Sequence, residues 1–153
     1  MKRFALILSL VMALAAGFGC AKKTADSYDD GLTPEMRAAI QQITDARVYF
    51  AFDKFDIKPE YKDLLRNKAD LIKKYASIRV RIEGNCDERG TQEYNLALGE
   101  RRARAAYEYL VTLGVNPGQL EMISYGKENP AVQGSGESAW SKNRRDDFRV
   151  VAH

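Results

Sequence analysis

Apolar residues recur at helical spacing between Thr91 and Leu113. Thr91 is a favourable N-cap, and Gly114 is typical of the position just past a helix end. At about 100° per residue, one face of this segment is apolar, and its members are Tyr94, Leu98, Ala105, Ala106, Tyr109, Leu110 and Leu113. The pattern predicts a long amphipathic helix that packs its apolar face on the rest of the domain.

Strand-like and helix-like segments alternate along the rest of the chain from Val48 onward. The predicted strands lie at 48–52, 78–83, 122–124 and 148–152, with a helix at 59–75 and loops at 84–90 and 128–139. This order predicts an α/β fold in which helices pack on a four-stranded mixed sheet. Neighbouring strands should be parallel and joined by right-handed crossovers, with the last strand added by a shorter connection.

Length and charge narrow the classes of function. The 153 residues leave room for one domain plus appendages, and the composition is 45% apolar and 29% charged. The net charge is 24 − 21 = +3, and Lys2 and Arg3 supply part of it. Because the remainder is nearly neutral, no binding to nucleic acid is expected.

Residues 1–19 have the pattern of an export signal. Lys2 and Arg3 precede an apolar run from Phe4 to Phe18, which is shorter than the ~20 residues needed to cross a bilayer. The segment resembles a bacterial lipoprotein signal, although Gly17 stands where such signals usually have leucine. Ordinary secretion and a retained anchor remain alternatives.

Cys20 is the expected lipidation site, and the Ala21 that follows resembles the pattern of lipoproteins sent to the outer membrane. Residues 20–46 are then the lipidated N-terminus, a polar tether and a short helix starting near Thr33. Several acyl chains anchor a protein firmly. With Cys20 lipidated, Cys86 has no partner for an intramolecular disulfide, and the domain at 47–153 must rely on its core.

Arg102 interrupts the apolar face of the long helix. A guanidinium stays charged and is costly to bury without an anion or other acceptors. Asp87, in the loop before the helix, could pair with it directly. Alternatively, a zwitterionic ligand could place its carboxylate on Arg102, its ammonium on Asp87 and its methylenes on Leu98. The spacing leaves both alternatives open.

Several motifs occur together in a fixed order: Phe50–Ile57 (FAFDKFDI), Ile82–Thr91 (IEGNCDERGT), Tyr94–Ala103 (YNLALGERRA), Ser124–Pro130 (SYGKENP) and Ser141–Arg145 (SKNRR). Over residues 48 to about 150, they resemble the OmpA-like peptidoglycan-binding domain family. Within it, the likeness is greatest to the peptidoglycan-associated lipoproteins. The resemblance implies a βαβαβ-β domain that binds the diaminopimelate residue of the peptidoglycan stem peptide.

The resemblance also implies which residues bind that ligand: Asp53, Phe55, Asp87, Arg89, Leu98, Arg102, Asn143 and Arg144. Asp87 and Arg102 would be the charge pair, Leu98 the apolar floor and Arg89 a contact at the rim. Asp53 and Phe55 would close the pocket. Asn143 and Arg144 match the family's Asn-Arg-Arg and would be part structural and part site-lining.

Two departures from the family's pattern concern the ends of strands. Asn85 stands where the family commonly has histidine, so any role that needs an imidazole is lost. Asp146 and Asp147 follow the Asn-Arg-Arg motif, where the family usually begins an apolar strand at once. The last strand is therefore expected to begin near Phe148.

The implied function is mechanical. The protein would tether the outer membrane to the cell wall, within the Tol-Pal system and cell division. The alternative is an interaction module whose main role is to bind the periplasmic protein TolB. Catalysis is not expected, because Cys86 has no histidine nearby in sequence to activate it. Neither a metal nor a cofactor is expected besides the lipid, because the acids lack the alternate spacing of oxygen-rich metal loops.

Overall fold

Four strands form one mixed sheet in the order β1-β4-β2-β3 in the computed structural model, which describes residues 31–153. In chain order the elements are α1 (Pro34–Asp45), β1 (Val48–Tyr49), α2 (Lys62–Lys74), β2 (Arg79–Asn85), α3 (Gln92–Thr112), β3 (Leu120–Gly126), α4 (Glu137–Asn143) and β4 (Arg145–Ala152). Short 3₁₀ turns precede α2 and β3. The α/β fold expected from the sequence is confirmed. The segment 1–30, with the predicted signal, Cys20 and most of the tether, lies outside the described residues.

Helices cover one face of the sheet and enclose the core. Most of its buried members come from α1, α2, α3 and the four strands, and they include Ile43, Val48, Leu65, Ile72, Val80, Ile82, Ala106, Leu110 and Phe148. The opposite face carries charged residues, with cross-strand ion pairs between Arg81 and Glu121 and between Arg149 and Glu83. Within residues 31–153, the helices are all too short or too polar to cross a membrane.

The strand order differs from the simple parallel arrangement. β2 and β3 are parallel neighbours, as predicted, with Val80 opposite Leu120. β1 and β2 are not neighbours, because β4 inserts between them antiparallel to both. The connection from β3, shorter than the other two as predicted, carries the chain back to the middle of the sheet, where β4 satisfies its backbone hydrogen bonds along both edges. The expectation of parallel neighbours is therefore wrong for β1.

β1 ends at Tyr49 rather than at residue 52. The amide of Phe50 still donates to the carbonyl of Arg144, but Lys54 then donates back to Ala51 and closes a turn. Asp53 has a φ of 57°, a left-handed conformation that aspartate tolerates better than most residues. The chain leaves the sheet here because the carbonyls of Ala51 and Lys54 accept hydrogen bonds from Arg102.

The other strand ends also shift from their predicted positions. β2 continues through Asn85, beyond its predicted end at Glu83, because it pairs with β3 on one edge and β4 on the other. β4 begins at Arg145 rather than near Phe148. Backbone pairing with β1 and β2 thus outweighs the polar character of its first residues.

Helix α4 lies partly inside the segment predicted as a loop. It is short and buries little apolar surface, with Ala139 its only buried hydrophobic residue, so its sequence carries no clear helical period. Side-chain contacts hold it in place: Trp140 Nε1 donates to Glu88 at 2.9 Å, and Arg144 pairs with Glu137. The first of these contacts joins residues 52 positions apart in the sequence, so no local pattern reveals it.

Helix α3 begins where the sequence predicts. Thr91 is its N-cap and accepts a hydrogen bond from the amide of Tyr94 at 3.2 Å. Gly114, with a φ of 90°, follows the helix end. The buried face consists of Leu98, Arg102, Ala103, Ala106 and Leu110 among others, so the stripe is as predicted in its middle, while Tyr94 is exposed.

Thr91→Ala is expected to lower the free energy of unfolding by about 1 kcal/mol, because the amide of Tyr94 loses its acceptor. Chemical denaturation of the two proteins measures this. Thr112→Ala, at the exposed end of the same helix, is the matched control and should change stability by less than about 0.5 kcal/mol. Equal losses in the two variants would contradict the capping role.

Candidate binding site

A cavity of about 260 Å³ opens at the carboxyl end of β2, between the loop that follows β1 and the first turns of α3. Its lining combines aromatic, aliphatic and charged side chains: Phe52, Asp53, Cys86, Asp87, Arg89, Gly90, Tyr94, Asn95, Leu98, Arg102 and Arg144. A mostly apolar pocket with a few convergent charges is the usual form of a small-molecule site.

A close backbone crossing places α3 over the end of β2. A Cβ built on Gly84 would lie 1.9 Å from the carbonyl oxygen of Gly99, so only glycine allows this approach. Arg102 follows Gly99 by about one turn and therefore reaches the loop that continues β2. Asn95 fixes that loop, because its Nδ2 donates to the carbonyls of Arg89 at 2.7 Å and Thr91 at 3.0 Å.

Arg102 is fully buried and joins the loop after β1 to the end of β2 through their backbones. Nε donates to the carbonyl of Lys54 at 2.9 Å, Nη1 to that of Asn85 at 2.8 Å, and Nη2 to that of Ala51 at 3.3 Å. Nη1 also contacts the Cys86 sulfur at 3.4 Å. A guanidinium has five N–H bonds, so one on Nη2 has no acceptor among the described residues. Arg102 makes no direct ion pair with any described acid, and it lines the cavity.

Asp87 pairs with two other arginines instead. Its carboxylate accepts from Arg89 Nη2 at 2.7 Å and Nε at 3.1 Å, and from Arg144 Nη1 at 3.2 Å. Burial raises the pKa of Asp87, but the hydrogen bonds from Arg89 and Arg144 outweigh it, so the net pKa lies below its usual value. Asp87 is therefore ionised at neutral pH. The direct Asp87–Arg102 pair that the sequence allowed is not formed.

Arg89 is held in place by two aromatic rings. Its guanidinium carbon lies 4.0 Å from the ring centroid of Phe52 and 3.9 Å from that of Trp140. Such stacking uses only the faces of the guanidinium, so its in-plane N–H groups can donate to a carboxylate, here that of Asp87. Arg89 thus forms a rigid cationic wall at the cavity rim.

Comparisons with known proteins agree with this architecture. The sequence model of the OmpA family matches residues 49–144 of this chain. The chain belongs to the OmpA family.

Relatives named peptidoglycan-associated lipoprotein resemble this OmpA-family chain over nearly its whole length. The protein from Pseudomonas putida is 40% identical over 166 residues, covering 97% of this chain and 98% of that one. The Haemophilus influenzae protein is 42% identical over 149 residues, covering 95% and 97%. The crystal structure of the peptidoglycan-associated lipoprotein from Burkholderia pseudomallei is similar at a TM-score of 0.67 and 44% identity, covering 68% of this chain and 88% of that one.

The OmpA-family domain brings together most of the residues singled out in the sequence. Those that line the cavity are Asp53, Asp87, Arg89, Leu98, Arg102 and Arg144. Phe55 and Asn143 do not line it. Phe55 is 40% exposed, whereas Asn143 is buried and exchanges two hydrogen bonds with the backbone of Val132, which fixes the loop before α4.

The sequence alone did not identify several lining residues. Phe52 was assigned to a strand but stands 58% exposed at the cavity rim. Tyr94 donates a hydrogen bond to Asp53 and so closes one side of the cavity. Trp140 does not line the cavity itself but stacks on Arg89, which does, from a helix that was not predicted. Their aromatic character was visible, but their proximity depends on the two loops that meet here.

Cys86 lies in the cavity wall as a neutral thiol. Burial raises its pKa to about 11, which outweighs the opposing influence of Arg102. The thiolate is the nucleophilic form of cysteine, so this environment does not activate it. Among residues 31–153, no group of three or more histidine, cysteine or acidic side chains is placed to hold a metal ion.

Proposed function

We propose that this protein is an outer-membrane lipoprotein whose OmpA-family domain binds peptidoglycan non-covalently and so tethers the outer membrane to the cell wall. Its relatives' name, peptidoglycan-associated lipoprotein, supports this. In the proposal, 1–19 is a signal peptide, and 20–46 carries lipid on Cys20 and includes the tether and helix α1. Residues 47–153 are the binding domain, facing the periplasm. The domain acts by binding alone, without catalysis or a cofactor.

The ligand we propose is the diaminopimelate of the peptidoglycan stem peptide. The observation that carries this is Arg102, a buried guanidinium that borders a cavity and, within residues 31–153, has no acid paired to it and keeps one N–H without an acceptor. A carboxylate is its natural ligand, because charge-assisted bonds between guanidinium and carboxylate are short and strong. A cavity of about 260 Å³ admits an amino acid side chain rather than a sugar chain.

The remaining lining suits the rest of such a side chain. Leu98 lies one turn before Arg102 on the same face of α3 and offers an apolar surface to methylenes. Asp53 and Asp87 are the anionic groups available for an ammonium. Arg89 and Arg144 already neutralise Asp87, so the cavity as a whole is cationic, and we expect the carboxylate to contribute most of the binding energy.

Cell walls with diaminopimelate and walls with lysine provide a direct test. Lysine has the same chain and ammonium but lacks the terminal carboxylate, so Arg102 would have no partner. We expect the protein to co-sediment with diaminopimelate-type sacculi with micromolar to sub-millimolar affinity. Lysine-type sacculi should bind at least ~10-fold more weakly, as expected from one charge-assisted contact of about 1.5–3 kcal/mol. Equal sedimentation with both walls would contradict the assignment of the ligand.

A second proposed function is binding of TolB within the Tol-Pal system. The cavity mouth carries exposed aromatic side chains, Phe52 at 58% and Tyr94 at 46%, and aromatic residues of this kind are enriched at protein interfaces. If TolB uses this surface, a diaminopimelate stem peptide should compete with it. Undiminished TolB binding at saturating peptide would place the partner elsewhere.

A further inference from the structure

Asp146 is a buried side-chain carboxyl group that has no hydrogen-bond partner among the described residues. Its side chain is 0% exposed, and its two oxygens are the only buried side-chain atoms without a partner within residues 31–153. Desolvating an ionised carboxylate in this way costs on the order of several kcal/mol of free energy. The cost is lower if a positive charge lies near the carboxylate or if it takes up a proton.

The register of β4 places Asp146 under the cavity. It lies opposite Val48 on β1 and Gly84 on β2. Because side chains alternate along a strand, Asp146 shares the helix-covered face with the core residue Phe148. Gly84 is the residue that α3 crosses at Gly99, about one turn before Arg102.

The charged and titratable groups that act on Asp146 come from three elements. They are Arg102 on α3, Cys86 after β2, and its β4 neighbours Arg145 and Asp147. Its cross-strand neighbours Val48 and Gly84 carry no charge. Cys86 is a neutral thiol, whereas Arg145 and Asp147 pair with each other at 2.8 Å. In the part of the chain that the structure describes, Arg102 is therefore the one cation acting on Asp146 that is not already paired with an acid.

We propose that Asp146 competes with the ligand for Arg102, so that a ligand carboxylate binds tightly only when Asp146 carries a proton. This inference rests on the proposed binding of a carboxylate at Arg102. When Asp146 is ionised, its negative charge already compensates the positive charge of Arg102. A ligand carboxylate then brings an uncompensated negative charge into a poorly solvated site. With Asp146 protonated, Arg102 presents its full charge to the cavity.

Where Asp146 is ionised in the free protein, ligand binding takes up one proton from solvent, which converts the Asp146 carboxylate to the neutral acid. Burial raises the pKa of Asp146 well above its usual value, although Arg102 opposes that effect. A bound carboxylate on Arg102 removes part of this opposition and raises the pKa further. Affinity is therefore highest below the pKa of Asp146 in the free protein and falls as pH rises through it, by up to about tenfold per pH unit for one linked proton.

Calorimetric titration of the full-length protein in detergent with a diaminopimelate-containing stem peptide, across pH 4 to 8, tests the inference. Asp146→Asn removes the titrating group, keeps the size of the side chain and should make affinity less dependent on pH than in the unmodified protein. Asp147→Asn, one residue along β4 on the opposite face, is the matched control and should keep the pH dependence. Protonation of the peptide itself is common to all three proteins and cancels in the comparison.

A second measurement avoids substitution. The ¹³C shift of the Asp146 carboxyl in the unmodified protein should move toward the protonated value when the peptide is added at a fixed pH near the free-state pKa. If Asp146→Asn and the unmodified protein bind with the same pH dependence, or if the carboxyl shift does not move on binding, the inference is overturned while the proposed function stands. If neither protein binds the peptide at any pH, the proposed function fails and the inference with it.

Discussion

Arg102→Lys is expected to lower affinity for diaminopimelate-type peptidoglycan by about 30- to 150-fold, which corresponds to a loss of about 2–3 kcal/mol. Arg102 uses four N–H bonds to hold the carbonyls of Ala51, Lys54 and Asn85 and the Cys86 sulfur. Lysine has three N–H bonds on one nitrogen and no planar fork. An ammonium that replaces the guanidinium must satisfy the loop carbonyls first and has nothing left for a ligand.

Co-sedimentation with purified sacculi, over a range of protein concentrations, measures the loss. Arg101→Lys is the matched control, because Arg101 is the next residue on the same helix but is exposed; its affinity should stay within about twofold. Thermal unfolding of both variants is needed beside the binding data, since Arg102 also joins loops. A folded Arg102→Lys protein that sediments as well as the unmodified one would contradict the role of the guanidinium.

Gly84→Ala is expected to prevent folding or to lower the free energy of unfolding by more than about 3 kcal/mol. The added Cβ would lie 1.9 Å from the carbonyl oxygen and 2.6 Å from the carbonyl carbon of Gly99. Both are backbone atoms of α3, so no side chain can move aside. Overpacking a well-packed core typically costs about 1–3 kcal/mol, and a clash between two backbones should exceed that range because α3 must shift as a body.

Chemical denaturation of soluble protein, together with the soluble yield, measures this effect. Gly118→Ala is the matched control: its Cβ would meet only the Asn116 side chain, at 3.3 Å, and stability should change by less than about 1 kcal/mol. A Gly84→Ala protein of nearly normal stability would show that the helix crossing is looser than the structure has it. Since the crossing positions Arg102 over the loop after β2, any folded fraction should also bind peptidoglycan less tightly.

Local sequence signals were sufficient for the long helix and for singling out several residues that line the cavity. The apolar period and the Thr91 cap located α3 to within a residue of its observed ends. Arg102 could be singled out because a permanent cation within an apolar stripe is chemically conspicuous. Leu98 was predicted from its place one turn before Arg102 on the same helix. Asp87 was predicted from the loop before that helix, and the family motif supports both. These features depend on short stretches of chain, where one period or one cap decides the outcome.

Contacts between distant segments account for what the sequence did not yield. β1 stops at Tyr49 because the carbonyls of Ala51 and Lys54 accept hydrogen bonds from Arg102 instead of from a strand. Arg102 lies 51 residues beyond Ala51 in the chain. Asp87 pairs with Arg144, 57 residues away, and not with Arg102. The insertion of β4 between β1 and β2 depends on backbone pairing along both of its edges, which no side-chain pattern specifies.

The burial of Asp146 illustrates the same limit. Two acids at the start of β4 looked like residues outside a strand, because an apolar alternation begins only at Phe148. In the structure both acids belong to β4. Asp147 forms ion pairs with Arg47 and Arg145, whereas the side chain of Asp146 lies on the core side of the sheet. Alternation along the strand assigns the faces, but only after the strand's start is known.

A crystal structure of the domain with a bound stem peptide containing diaminopimelate tests the central claim most directly. We expect the terminal carboxylate of diaminopimelate in the cavity, with one oxygen about 2.7–2.9 Å from Nη2 of Arg102 and the methylenes against Leu98. A peptide whose carboxylates contact only Arg89 or Arg144, or which binds outside the cavity and leaves Arg102 without a ligand, would contradict it.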